Sequence, residues 1–203
     1  MAAGEYDFAF MDPYQYTIFH QHPGYQVFAR EKDRPLKGIV VVRRDAPYRE
    51  LADLRGQTLV FPAPAAFAAT LLVRAEFARQ GIAIAPKFVT SHDSVYLNVA
   101  RGLYPAGGGI VRIFERLQPE VRDQLRILWT AQPFAPNAIA AHPRVPAAIV
   151  ERLRQAMLNL DDDAAGRAAL EGIGFKGIAT ARDSDYDAVR ALPIEPLDPV
   201  RKD

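Results

Sequence analysis

Along this chain the spacing of apolar positions switches repeatedly between the alternation of a strand and the three- and four-residue period of a helix. Tyr6–Met11 alternates and then runs apolar, which predicts a strand, and Asp12-Pro13 supplies an N-cap and a first helical residue for a helix over Tyr14–Gln21. Strands are expected at Tyr25–Arg30, at Lys37–Arg43 with its IVVV run, and at Thr58–Phe61 after a short turn, Leu51–Gly56. A helix then runs to Gln80 and stops at Gly81, and a further strand is expected at Lys87–Val89. Ser91-His92-Asp93-Ser94 can cap a helix over Val95–Arg101, which Gly102 ends. Ala106–Ile110, reading AGGGI, is too rich in glycine for a stable central strand, and its backbone is expected to come close to another group.

Strands at Leu125–Thr130 and Asn137–Ala141 precede a helical remainder. Pro146 suits a first helical residue, with Ile149, Leu153 and Met157 as the core stripe. Asp161–Asp163 favours the positive end of a helix over Ala164–Glu171, and a last helix, Asp185–Ala191, leads into a proline-containing tail expected to be disordered. Strands alternating with helices imply an α/β protein with a mainly parallel sheet.

Between the strand ending at Phe61 and the following helix lies FPAPAAFAAT, residues 61 to 70. A strand-to-helix turn offers the free N–H groups of a helix N-terminus, and Ala65, Ala66, Ala68 and Ala69 are small enough to let a ligand reach them. Phe67, however, pairs with Leu71 at helical spacing as a core residue does. The turn has one hydroxyl, Thr70. The loop alone leaves binding and packing both open.

Composition narrows the classes of function. The 203 residues allow one large domain or two small ones, and 49% hydrophobic with 24% charged residues is ordinary for a globular protein. A net charge of +1 with dispersed basic residues gives no electrostatic footprint for nucleic acid. The absence of cysteine removes disulfides, thiolate nucleophiles and zinc-thiolate sites. The longest uncharged apolar run, Leu59–Val73, is broken by two prolines and falls short of the roughly 18 residues a spanning helix needs.

His20 and His22 share a face only if the chain is extended there, and with no third ligand nearby they read as a solvated helix end rather than a metal pair. His92 stands where a side chain can point beside a helix N-terminus, and a local capping role fits equally well. Asp12, Asp93 and the 161–163 triplet all fit helix N-termini, so no carboxylate pair for catalysis is expected. Nucleotide, zinc-protease and nucleophile-elbow patterns do not occur, and no cofactor is expected. Nor does any nucleophile have a positioned base, so an enzyme is not expected.

Taken in order, several segments resemble the phosphate/phosphite/phosphonate-type solute-binding proteins of ABC transporters. They are Gly4-Glu-Tyr-Asp-Phe-Ala-Phe, Leu51-Ala-Asp-Leu-Arg-Gly56 with its following strand, Ser91-His92-Asp93-Ser94, Asn98-Val-Ala-Arg-Gly102, Leu125–Trp129 with Gln132-Pro133, and Ser184-Asp-Tyr186. The resemblance implies an α/β, two-lobe periplasmic-binding-protein type II fold, with residues 1–43 and 131–203 in the first lobe and 44–130 in the second. It also implies a small solute in the inter-lobe cleft, an extracytoplasmic parent protein, and either a transporter permease or a membrane sensor as partner. Relatives carry two strand-helix units ahead of the segment matching Gly4–Asp7, so the first lobe is expected to be N-terminally incomplete, with a sheet edge open to homodimer formation.

Site residues carry over by position. Phosphonate binders hold the anion with a D-P-x-S-T-S-G-like run, and Ala63–Ala69 stands in that run with every hydroxyl gone. The family's histidine is matched by His92, and an acidic residue three after a glycine is matched by Pro105. Losing three hydroxyls, at about 1.5–3 kcal/mol for each bond to a charged oxygen, disfavours phosphonate itself. The expected ligand is a smaller or more apolar anion, lined by Met11, Asp12, Tyr14, Ala65–Thr70, His92, Asp93, Gly107 and Gly108.

Overall fold

In the computed structural model, which describes Met1–Ile194, the chain forms two compact units. Met1–Pro35 and Phe134–Ala191 make the first, and Leu36–Pro133 with Leu192–Ile194 the second. The expectation for the tail falls on residues outside the described ones. Strand 38–43, expected in the first lobe, pairs wholly within the second unit's sheet.

The first unit is a four-stranded antiparallel sheet in the order β1 (Phe8–Met11), β8 (Ala138–Ala141), β2 (Gln26–Glu31), β9 (Ile178–Thr180). Asp12 caps α1 (Pro13–Gln21) as its sequence predicts, its Oδ1 accepting the Gln15 N–H at 2.8 Å. Tyr16 of α1, Tyr25 and Tyr186 are fully buried on one face of the sheet with Met11, Ala138 and Ala140. The other face takes α6 (Ala147–Leu158) and α7 (Ala164–Gly172), with Phe28, Leu170 and Ile178 as core. On α6 the inward stripe is Val150, Leu153 and Met157; Ile149, expected in it, is 44% exposed, and Val150, three residues before Leu153, takes its place. Asp163 caps α7 through the Gly166 N–H at 2.7 Å. The expected last helix is a 3₁₀ turn, Asp183–Tyr186, followed by the short α8, Asp187–Arg190.

The second unit is a five-stranded mixed sheet, not a mainly parallel one. Its order is β5 (Ala85–Phe88), β4 (Thr58–Phe61), β6 (Ala106–Ile110), β3 (Gly38–Arg43), β7 (Leu125–Thr130). β4 runs parallel to β5 and β6, while β3 is antiparallel to β6 and β7. Val40, Val42, Leu59 and Phe61 face α2 (Leu72–Arg79), and Ile39, Val41 and Val60 face α3 (His92–Ala100). Two short helices, α4 (Val111–Glu115) and α5 (Pro119–Arg122), lie in the stretch for which the sequence suggested no element.

β6 overturns one expectation and bears out its companion. AGGGI is the central strand of the sheet. Its glycines are required by close approach: a Cβ on Gly108 would stand 2.0 Å from the Ala69 carbonyl oxygen, and one on Gly109 would stand 2.3 Å from the Tyr96 hydroxyl. On the neighbouring strand, a Cβ on Gly38 would meet the Ala68 carbonyl oxygen at 2.2 Å. Where β4 no longer pairs with β6, the Tyr96 hydroxyl takes its place, accepting from the Ile110 N–H at 3.0 Å and donating to the Ile110 carbonyl at 3.1 Å.

Candidate functional site

β4 and β5 lie side by side and parallel, yet the segments leaving them turn to opposite faces of the sheet. Residues 62–66 lead into a π-helical turn, Phe67–Leu71, continuous with α2 on one face, and residues 89–91 lead into α3 on the other. Such a divergence opens a crevice at the carboxyl ends of parallel strands, where α/β proteins hold ligands. Two helix N-termini flank this crevice, each with first-turn N–H groups that have no partner inside the helix.

The FPAPAAFAAT segment is divided between the crevice and the core. Ala63, Pro64 and Ala65 are exposed and Ala66 is half-buried. Phe67, Ala68, Ala69 and Thr70 are buried, and the carbonyls of Ala68 and Ala69 press on Gly38 and Gly108. Thr70, the one hydroxyl, donates to the Ala63 carbonyl at 2.7 Å and so ties the turn to itself. Its alanines therefore let a helix turn lie flat on a glycine-bearing sheet.

His92 is the first residue of α3, behind the cap Ser91, whose Oγ accepts the Ser94 N–H at 3.1 Å. Serine does the capping, which leaves the imidazole for other work. Its Nδ1 is buried with no hydrogen-bond partner among the described residues. Burial pushes the His92 pKa down, Asp93 opposes this, and the charge of Arg112 adds to it, so the ring is neutral at pH 7. Arg112, half-buried on α4, was not among the expected site residues; its segment gave no periodic signal.

Met11, Asp12 and Tyr14 belong to the first unit. Met11 is buried in its core, and Asp12 is an N-cap whose pKa burial raises to about 6 against the opposing N–H groups of Gln15 and Tyr14. Asp93 is exposed on the first turn of α3. Gly107 and Gly108 lie within the sheet, with Val95 and Ala69 over them. His20 is turned inward, its Nδ1 3.0 Å from the Tyr25 carbonyl oxygen and its Nε2 3.5 Å from Asp183. Pro105 lines a separate open depression of about 460 Å³ at the other end of the sheet, beside Arg43, Tyr48 and Tyr104. There the Arg43 guanidinium is already bound to Asp45 and to the Ala100 carbonyl.

A family model described as ABC transporter, phosphonate, periplasmic substrate-binding protein matches residues 1–186. The chain belongs to this family. Its members are binding proteins of transporters, not enzymes. Among solved structures, the Xanthomonas citri protein XAC2383, determined bound to ATP, superposes with a TM-score of 0.81 at 20% identity, over 93% of this chain and 77% of that one. PhnD1 from Prochlorococcus marinus, in complex with methylphosphonate, gives 0.79 at 17% identity, over 93% and 78%. A binding-protein component of an ABC phosphonate transporter from Pseudomonas aeruginosa gives 0.77 at 16% identity, over 91% of this chain and 66% of that one. The chain thus spans two thirds to about three quarters of the length of these proteins. At such identities the likeness is one of fold, that of the two-lobed α/β binding proteins. Among the described residues no helix is long and apolar enough to cross a membrane, and no three His, Asp or Glu side chains group as metal ligands.

Proposed function

We propose that this chain is a solute-binding component of an ABC importer that takes a small anion with an apolar body, and not a phosphonate. The observation carrying this reading is the buried, unpartnered Nδ1 of His92 at a helix N-terminus on the switch-point crevice. A buried polar atom without a partner costs about 1–3 kcal/mol, a cost offset when a ligand supplies the partner. Family membership supports the class of function, a permease as partner and a site of action outside the cytoplasm. Against phosphonate stands the loop: Ala63–Ala69 has no side-chain donor, and the Thr70 hydroxyl is already bound to Ala63. A dianion with three terminal oxygens would rely on backbone N–H groups and one neutral imidazole, whereas a carboxylate, with two oxygens and one charge, asks for fewer donors. The same hydroxyl-free loop favours a second reading, a binding fold that has lost its solute and works through contacts with a sensor or another protein.

Thermal unfolding in the presence of carboxylates, phosphonates and small nucleotides decides between them. A bound solute at 100 times its Kd adds about 2.7 kcal/mol, a visible rise in Tm. The first reading expects carboxylates to raise Tm more than methylphosphonate does, and expects His92→Ala to abolish the rise. No response to any anion leaves the second reading.

A further inference from the structure

β6 runs parallel to β4, as β5 does, so the carboxyl ends of all three strands lie at one end of the sheet. The crevice takes two of its walls from the segments that leave β4 and β5. The segment that leaves β6 is Val111-Arg112, the start of α4. Backbone and side-chain contacts fix where this segment goes. Tyr96 lies four residues after His92, on the same face of α3, and its hydroxyl holds both the N–H and the carbonyl of Ile110, the last residue of β6. Its ring packs against Phe114 of α4 with centroids 5.9 Å apart, and the Val111 N–H donates to the Lys37 carbonyl at 3.1 Å. Arg112 is thereby held, half-buried, near enough to His92 for its charge to act on the imidazole. All of these residues belong to the continuous segment Leu36–Pro133 of the second unit.

A cation beside a buried neutral imidazole disfavours a proton on the ring and favours an anion next to both. Asp93, the acidic group on the first turn of α3, is exposed, and the 62–66 segment from β4 carries no charged side chain. We infer that Arg112 is the counter-charge for the solute's carboxylate, and that Tyr96 is the positioning residue that sets it beside His92. This rests on the reading of the crevice as an anion site. Arginine presents several N–H donors in a planar fork that matches the two oxygens of a carboxylate, and a guanidinium that already holds a protein group keeps donors for a solute. Arg112 thus supplies the charge that Ala63–Ala69 lacks. A neutral His92 with its proton on Nδ1 donates to a carboxylate oxygen and so gains the partner that this atom is without. One guanidinium and one neutral N–H suit a monocarboxylate, in preference to an uncharged amide of the same shape.

Propionate and propionamide, alike in shape and different in charge, are the probes. Calorimetry is expected to show the parent protein preferring propionate, and Arg112→Gln weakening it by about 10–100-fold and abolishing the preference over propionamide. Arg112→Lys, which keeps the charge and loses the fork, is expected to fall between. NMR titration of the His92 ring reads the juxtaposition with no solute present. Its midpoint is expected to rise in Arg112→Gln, to rise part-way in Tyr96→Phe, and to rise in the parent protein when propionate is bound; a purely structural role for Arg112 would lower Tm and leave that midpoint in place. Equal propionate affinity in the parent and in Arg112→Gln, or a His92 midpoint unmoved by that substitution, overturns the inference and leaves the anion-site reading standing. Failure of every carboxylate to bind the parent protein overturns both.

Discussion

Thr70 donates its hydroxyl to the carbonyl of Ala63, seven residues back, so the turn between β4 and α2 is closed by its own last side chain. Thr70 is fully buried, so its hydroxyl has no water to replace this bond, whereas Ala63 is exposed. Thr70→Val keeps the shape and removes the donor. It is expected to lower unfolding stability by about 1–2 kcal/mol, read as a fall in the urea midpoint without a change in slope. Thr70→Ser is expected to restore most of it.

The glycines of β6 give a second outcome. Gly108→Ala places a methyl against the Ala69 carbonyl and the Phe61 ring, both fixed, and is expected to cost at least about 3 kcal/mol. Gly172, the last residue of α7, has open space around its Cβ direction. Gly172→Ala is expected to stabilise by about 0.4–1 kcal/mol through the unfolded chain. Chemical denaturation of the two variants in parallel separates packing from backbone freedom.

Asp12 sets a pH dependence whose sign runs against the usual carboxylate. Its folded pKa, about 6, lies above the ordinary 3.8, so folding favours the protonated form. The stability it contributes is fully present below about pH 4 and is lost as the pH rises through about 6. Asp12→Asn retains a cap and removes the titration. Relative to this variant, the parent protein is expected to lose about 2–3 kcal/mol between about pH 4 and pH 7 in urea melts. Direct NMR titration of the Asp12 carboxyl is expected to give a midpoint near 6.

His92 is expected to show opposite effects on stability and on binding. His92→Leu removes a buried nitrogen that has no partner, so the unliganded protein is expected to gain about 1 kcal/mol. The same change is expected to erase the anion-induced rise in Tm. A loss of unliganded stability in this variant would mean that the imidazole already has a structural role.

Local rules read much of this fold from the chain. Asp12, Ser91 and Asp163 cap the helices that follow them, because a cap is decided within four residues. β6 was misread for the opposite reason. Glycine weakens an isolated strand, and what makes Gly108 and Gly109 necessary is the Ala69 carbonyl and the Tyr96 hydroxyl, which reach them through the tertiary fold. The His92 position was legible from its capping run and the family pattern, but the solitude of its Nδ1 depends on burial. Nothing in the sequence announced that Thr70 would spend its hydroxyl on Ala63, or that Arg112 would lie close enough to act on His92.

One consequence of the Tyr96 hydroxyl remains. At Ile110 it stands in for a neighbouring strand, holding an amide proton with a side chain that belongs to α3. Exchange of that proton with solvent is governed by the lifting of α3 from the sheet rather than by fraying of a ladder. The Ile110 amide is thus a built-in clock for the helix that begins at His92, and it can be read by hydrogen exchange with no label placed near the crevice.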